Sequence, residues 1–172
     1  DKTRIPLKID ISTGDVITPC EISFSYQLMF ENRTIPLLAY PPETVLAEKL
    51  ETILSRGEAN TRLRDFYDVY ILQREDFVVT PDALRYALLA TCRTRGHEDL
   101  LHTYASILDG VRQSDAMRTQ WMKYQTDFDY AAGITWDTVL DTVETLCMKT
   151  LDDHAFGDEL PQEESQFEMH LL

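Results

Sequence analysis

The sequence predicts an α+β fold in which a few short strands come first and a helical bundle follows. Two observations carry this. Near the N-terminus, short segments alternate apolar and polar residues with a period of two. From Pro41 onward the apolar residues recur with a helical period instead, and strand-type and helix-type segments stay separate along the chain. No internal repeat is visible.

Leu7-Lys8-Ile9-Asp10-Ile11-Ser12 alternates strictly, with Leu7, Ile9 and Ile11 on one face, and reads as a half-buried strand ended by Gly14-Asp15. Ile22-Ser23-Phe24-Ser25-Tyr26-Gln27-Leu28 repeats the pattern. Thr34 to Tyr40 reads as a third strand, kept to an edge by Pro36, which has no N–H for a ladder. Pro41-Pro42-Glu43 then opens a helix: proline suits a first turn, and glutamate there suits the dipole. Leu46, Leu50, Ile53 and Leu54 form its expected buried stripe, Glu48 and Glu51 are expected to point away, and Arg56-Gly57 is the stop. A polar connector over 58–61 leads to a second helix from Arg62 to Gln73. Thr80-Pro81-Asp82 starts a third, carrying Leu84, Leu88 and Leu89 and closed by Gly96. Leu100, Leu101, Tyr104, Ile107 and Leu108 mark a fourth, expected to end at Gly110. Ser114-Asp115 caps a fifth containing Trp121 and Tyr124. Trp136, Val139, Leu140, Val143, Leu146 and Cys147 mark the last. The expected division is a partial sheet over 1–40, a helical domain over 41–150, and an acidic tail over 151–172 whose lack of periodicity predicts disorder.

With 172 residues and 44% hydrophobic content the chain can bury a real core. No apolar run approaches the ~18 residues a membrane span needs, so no membrane partner is expected. The start, Asp1-Lys2-Thr3-Arg4-Ile5-Pro6, has neither a signal-peptide core nor a methionine, which predicts a chain that begins inside a longer protein. Cys20, Cys92 and Cys147 are far apart and odd in number, so they read as buried reduced thiols of a cytoplasmic protein. The net charge of −14 disfavours nucleic acid as a partner. Half of it, however, sits in the seven acids of 151–172. Between Lys49 and Arg74 the bases Lys49, Arg56, Arg62, Arg64 and Arg74 roughly balance the acids, which leaves room for a phosphate-bearing ligand.

Three charges stand out. Asp10 projects from a strand, as a solvent-facing residue or as a metal ligand on a rigid element. Lys49 lies at the rim of an apolar stripe, where it either snorkels or holds an ammonium toward phosphate. Asp68 lies among Phe66, Tyr67, Val69, Tyr70, Ile71 and Leu72 and shares a face with Asp65. Carboxylates in such surroundings need cations, and Lys49, Arg62 and Arg64 are the candidates. The resulting network is either a structural lock between two helices or a device that orients Lys49 and an arginine for substrate phosphates; the residues alone leave both open. His97 and His102 stand five apart rather than the four a zinc protease helix needs, and no phosphate-binding glycine loop or nucleophile elbow is present.

Taken together, Leu7-Lys8-Ile9-Asp10-Ile11-Ser12, Tyr40-Pro41-Pro42-Glu43-Thr44-Val45-Leu46-Ala47-Glu48-Lys49-Leu50 and Asn60-Thr61-Arg62-Leu63-Arg64-Asp65-Phe66-Tyr67-Asp68-Val69-Tyr70 resemble the AbiEii family, nucleotidyltransferase-like toxins of abortive-infection and toxin–antitoxin systems. The resemblance is specific across residues 5–74. It implies a nucleotidyltransferase-type sheet, here a remnant of two to three strands, followed by helices. It implies catalytic roles for Asp10, Lys49 and Asp68, with Asp10 as a magnesium ligand. It also implies substrate binding by Lys49, Arg62, Arg64 and Asp65, a nucleoside triphosphate as donor, RNA such as tRNA as acceptor, and a cognate antitoxin as partner. The family's first motif, a Gly-Ser turn with a nearby aspartate pair, has no counterpart here. The chain is therefore expected to be the C-terminal portion of such a protein, inactive alone, or a homologue without activity. The rival expectation is a non-catalytic helical interaction module whose Lys/Arg–Asp cluster is structural.

Overall fold

A computed structural model describes residues 6, 8, 9, 11, 13–74 and 79–152. Among them the order is two strands and then six α-helices, an α+β arrangement as the periodicities predict. Strands β1 (Ile22–Gln27) and β2 (Thr34–Ala39) pair antiparallel, with Ile22 opposite Ala39 and Gln27 opposite Thr34. Pro36 faces Ser25 within this ribbon. A two-stranded ribbon has only edge strands, so the proline costs no interior ladder bond. Every residue of β1 is exposed.

The strand expected over 7–12 is not seen in its described members. Lys8, Ile9 and Ile11 have no strand pairing and are exposed, the two isoleucines by 73% and 86%. An alternating pattern becomes a strand only where another backbone lies alongside it, and the described ladder joins β1 to β2 alone. Asp10 lies outside the described residues, as do residues 153–172 of the acidic tail.

Helix α1 (Pro42–Arg56) begins with proline in its first turn and buries Leu46, Ala47, Leu50, Ile53 and Leu54. The segment preceding β1 is tied to its start: buried Thr44 accepts a hydrogen bond from the Thr18 N–H (2.9 Å) and donates one to the Thr18 carbonyl (3.0 Å). A 3₁₀ turn over Gly57–Ala59 leads to α2 (Leu63–Arg74). Helix α3 (Pro81–Arg95) is capped by Thr80, whose hydroxyl accepts from Ala83 N–H, and closed by Gly96 in the left-handed region at φ 70°, where a side chain would be strained. Helix α4 (Leu100–Gln113) runs through Gly110 rather than stopping there. A Cβ on this glycine would lie 3.0 Å from Glu58 Oε1, and α4 ends instead at Ser114, which turns extended and caps α5 (Asp115–Asp127). A second 3₁₀ turn, Asp129–Ala131, precedes α6 (Trp136–Leu151), capped by Thr135.

The core lies where α1 packs on α2 and α3 and where α6 closes against α2, α3 and α4. Its aromatic seam runs from Phe66 to Trp136 (centroids 5.0 Å apart) and on to Trp121 and Tyr124. Cys92 and Cys147 are buried free thiols, but Cys20 is exposed, in the irregular segment before β1. No helix among the described residues is long and apolar enough to cross a membrane.

Candidate functional site

The α1–α2 contact places the charges singled out in the sequence. Lys49 leaves α1 beside the buried stripe, with its side chain 20% exposed. Asp65 and Asp68, one turn apart on α2, receive it. Its ammonium donates to Asp68 Oδ2 at 2.6 Å and to Asp65 Oδ1 at 3.2 Å. Arg64 Nε stands 3.8 Å from Asp68 Oδ2, with a side chain 76% exposed and free to swing. The structure therefore brings together Lys49, Asp65, Asp68 and Arg64.

The start of α2 is fixed by a residue the sequence reading left in a polar connector. Asn60 is fully buried, and its Oδ1 accepts the Arg62 backbone N–H at 2.7 Å. This turn brings Arg62 to the mouth of a cleft of about 600 Å³ between the N-terminal turn of α2 and the C-terminal half of α5. Arg62, Arg64 and Asp65 line it from one side; Lys123, Tyr124 and Phe128 line it from the other. Tyr124 Oη and Tyr130 Oη are hydrogen-bonded at 2.9 Å. Burial, then that bond and the charge of Asp68, push the Tyr124 phenol up from its ordinary range, so it stays neutral. The residues of α5 were read only as helix and core. The signal that could have marked them is a lysine and two aromatics, Lys123, Tyr124 and Phe128, within six positions of an acidic chain.

A second charge cluster corrects the reading of α1. Glu51, expected to point to solvent, has a side chain only 3% exposed. It accepts from the Arg95 guanidinium and lies 2.6 Å from His97 Nδ1. Arg95 also reaches Glu48 at 3.5 Å. His97 is thus the partner of a buried carboxylate.

Magnesium is held by oxygen ligands around an open position. Asp65 and Asp68 do not fit that task, because both turn an oxygen toward an ammonium ion. Among the described residues no group of three or more His, Cys, Asp or Glu could hold a metal.

A family model described as the nucleotidyl transferase AbiEii toxin of type IV toxin–antitoxin systems matches residues 1–142. The chain belongs to the AbiEii toxin family. Membership gives it a toxin role, and the match extends beyond residues 5–74 to take in α3 to α5 and the start of α6. Lys49 and the α2 charges therefore lie in an AbiEii chain, as does the whole lining of the cleft. No curated protein and no solved structure matches the chain.

Proposed function

We propose that this AbiEii chain serves a cytoplasmic toxin that transfers a nucleotide from a nucleoside triphosphate to an RNA acceptor, such as tRNA, and is restrained by a cognate antitoxin protein. The observation that carries the reading is the Lys49 ammonium fixed between Asp65 and Asp68 in a family of nucleotidyl transferase toxins. In the reaction an acceptor hydroxyl attacks the α-phosphate and gives its proton to solvent, a new P–O bond forms, and pyrophosphate leaves with the electrons of the broken one. Lys49 has three N–H donors and spends two on the aspartates. The third is left for a phosphate oxygen, held in direction by the other two. Arg64 and Arg62, at the rim, add charge for the phosphates of the acceptor. Nucleotidyltransferases generally use a divalent metal; Asp10 is assigned to a magnesium ion by family resemblance alone.

The test is Lys49→Ala in the intact toxin. Removing one such charge contact costs about 100-fold in rate or more. Growth inhibition on induction should disappear, calorimetric binding of nucleoside triphosphate with magnesium should weaken, and circular dichroism should be unchanged. One observation favours the rival reading of a non-catalytic interaction module: the cluster is already satisfied without a ligand, with Lys49 bridging α1 and α2. The variant Lys49→Met/Asp65→Asn/Asp68→Asn separates the two, because it removes the charges without stranding a carboxylate. A folded triple variant that stays toxic makes the cluster a lock between helices and overturns its catalytic role.

A further inference from the structure

We propose that the cleft between α2 and α5 is where a single strand of RNA docks, with its phosphates on Arg62, Arg64 and Lys123 and a base stacked on Phe128. This rests on the proposed reaction only for the statement that the docked strand is the acceptor; the cleft's chemistry is independent of it.

Charge comes first. The chain carries 30 acids against 16 Lys and Arg, so a typical cation on it finds a carboxylate. Arg112 shows the usual outcome, with Asp141 and Glu144 both bonded to it at 2.6 Å. Arg56 and Lys149 go singly without an ion pair among the described residues, whereas the cleft gathers such cations in one place. Arg62 and Lys123 have no ion-pair partner among the described residues, and Arg64 has only the 3.8 Å approach to Asp68. Of the cleft's two carboxylates Asp65 is already neutralised by Lys49, which leaves Asp127 against the three cations. The cleft is thus a positive spot on an acidic surface, and it calls for an anion.

The walls narrow the class of anion. Phe128 is 42% exposed at the cleft and packs against Tyr124 at 4.7 Å between centroids; Tyr130, 48% exposed, continues the aromatic surface. This surface is rigidly mounted. Trp121 Nε1 donates to the Ile134 carbonyl at 2.8 Å, and the Gln125 amide donates to the Ala131 and Ile134 carbonyls, pinning the turn that presents it. Phosphate-binding cations beside a fixed aromatic platform are how single-stranded nucleic acid is held. A third feature favours RNA. Asp65 Oδ1 accepts from Lys49, but Asp65 Oδ2 is buried without any hydrogen-bond partner. An orphaned carboxylate oxygen calls for a donor. A ribose 2′-hydroxyl supplies one that deoxyribose lacks.

The experiment measures anisotropy of a fluorescein-labelled octaribonucleotide of mixed sequence with the intact protein across a salt series. Expected are a Kd that rises with salt, weaker binding of the deoxy octamer, and about tenfold losses for Arg62→Gln, Lys123→Gln and Phe128→Ala. Each lost cation should lower the log–log salt slope by about 0.7, whereas Phe128→Ala should leave the slope unchanged. The control Lys149→Ala, on the far part of α6, should bind as the parent does. Equal binding of RNA and DNA overturns the assignment, as does binding indifferent to the cleft variants. Displacement of the octamer by nucleoside triphosphate at equal concentration makes the cleft a mononucleotide site and also overturns it. If Lys49→Ala stays toxic while the cleft variants lose RNA, the catalytic reading fails and the cleft stands. If Lys49→Ala loses toxicity while the cleft variants bind normally, the cleft assignment fails alone.

Discussion

Gly110 shows how a single residue can mislead and inform. A glycine inside a helix costs about 1 kcal/mol relative to alanine. Its one close neighbour is the carboxylate end of Glu58, an exposed and flexible side chain. Gly110→Ala should therefore be neutral or stabilising by up to about 1 kcal/mol, read from the urea midpoint; a clear loss would mean that Glu58 cannot move aside. At this scale, legibility followed locality. Lys49, Asp65 and Asp68 were legible because each sits within a few residues of an apolar stripe, and helical spacing alone aligns the two aspartates. Glu51 was not, because its partners Arg95 and His97 lie 44 and 46 positions away and only the α1–α3 packing delivers them. Asn60 has the sequence setting of an ordinary connector residue, and its burial arises only once the Gly57–Ala59 turn, α1 and α2 are folded together.

Between elements, the Glu51 network staples α1 to the end of α3. A buried carboxylate that loses its cation is expensive, on the order of 3 kcal/mol. Arg95→Ala should destabilise the protein by about 2–3 kcal/mol, discounted because Arg95 is itself one-third exposed and His97 remains. Chemical denaturation checks this; a change below 0.5 kcal/mol would show that His97 alone satisfies Glu51. The elements themselves were largely readable. Thr80, Ser114 and Gly96 are boundary signals whose mechanism is local, and the structure uses all three as caps or stops. The end expected at Gly110 is not one: α4 continues to Gln113 and Ser114 ends it. The alternation over 7–12 forms no strand in its described members, Lys8, Ile9 and Ile11, because a strand needs a partner that period alone does not specify.

For the whole molecule, the core sets a limit at alkaline pH. Burial, reinforced by Glu51 at Cys92 and by Glu144 at Cys147, pushes both thiols from 9.0 up to about 12. Folded, they hold their protons; unfolded, they release them near pH 9. Their contribution to stability is thus complete below pH 9 and is lost as pH rises toward 12, by up to about 1.4 kcal/mol per pH unit for each thiol. Tyr104 and Tyr124 are raised too, by burial first and then by bonds to Asp152 and Tyr130, and add in the same direction above pH 10. Urea midpoints should fall between pH 8 and pH 10.5, and a flat profile would contradict the buried state of both cysteines.

The β1–β2 ribbon has a further consequence, for behaviour in concentrated solution. Among the described residues its outer edges are unpaired, and Phe24, Tyr26, Met29, Phe30 and Leu38 are exposed on or beside it. Open edges of this kind invite a second ribbon to add its hydrogen bonds. What opposes that step is electrostatic repulsion between chains that each carry −14. That repulsion is colloidal and reaches only about 8 Å at physiological ionic strength. Solubility is therefore expected to be greatest in dilute buffer and to fall as salt is added, in the opposite sense to a protein kept apart by its hydration alone.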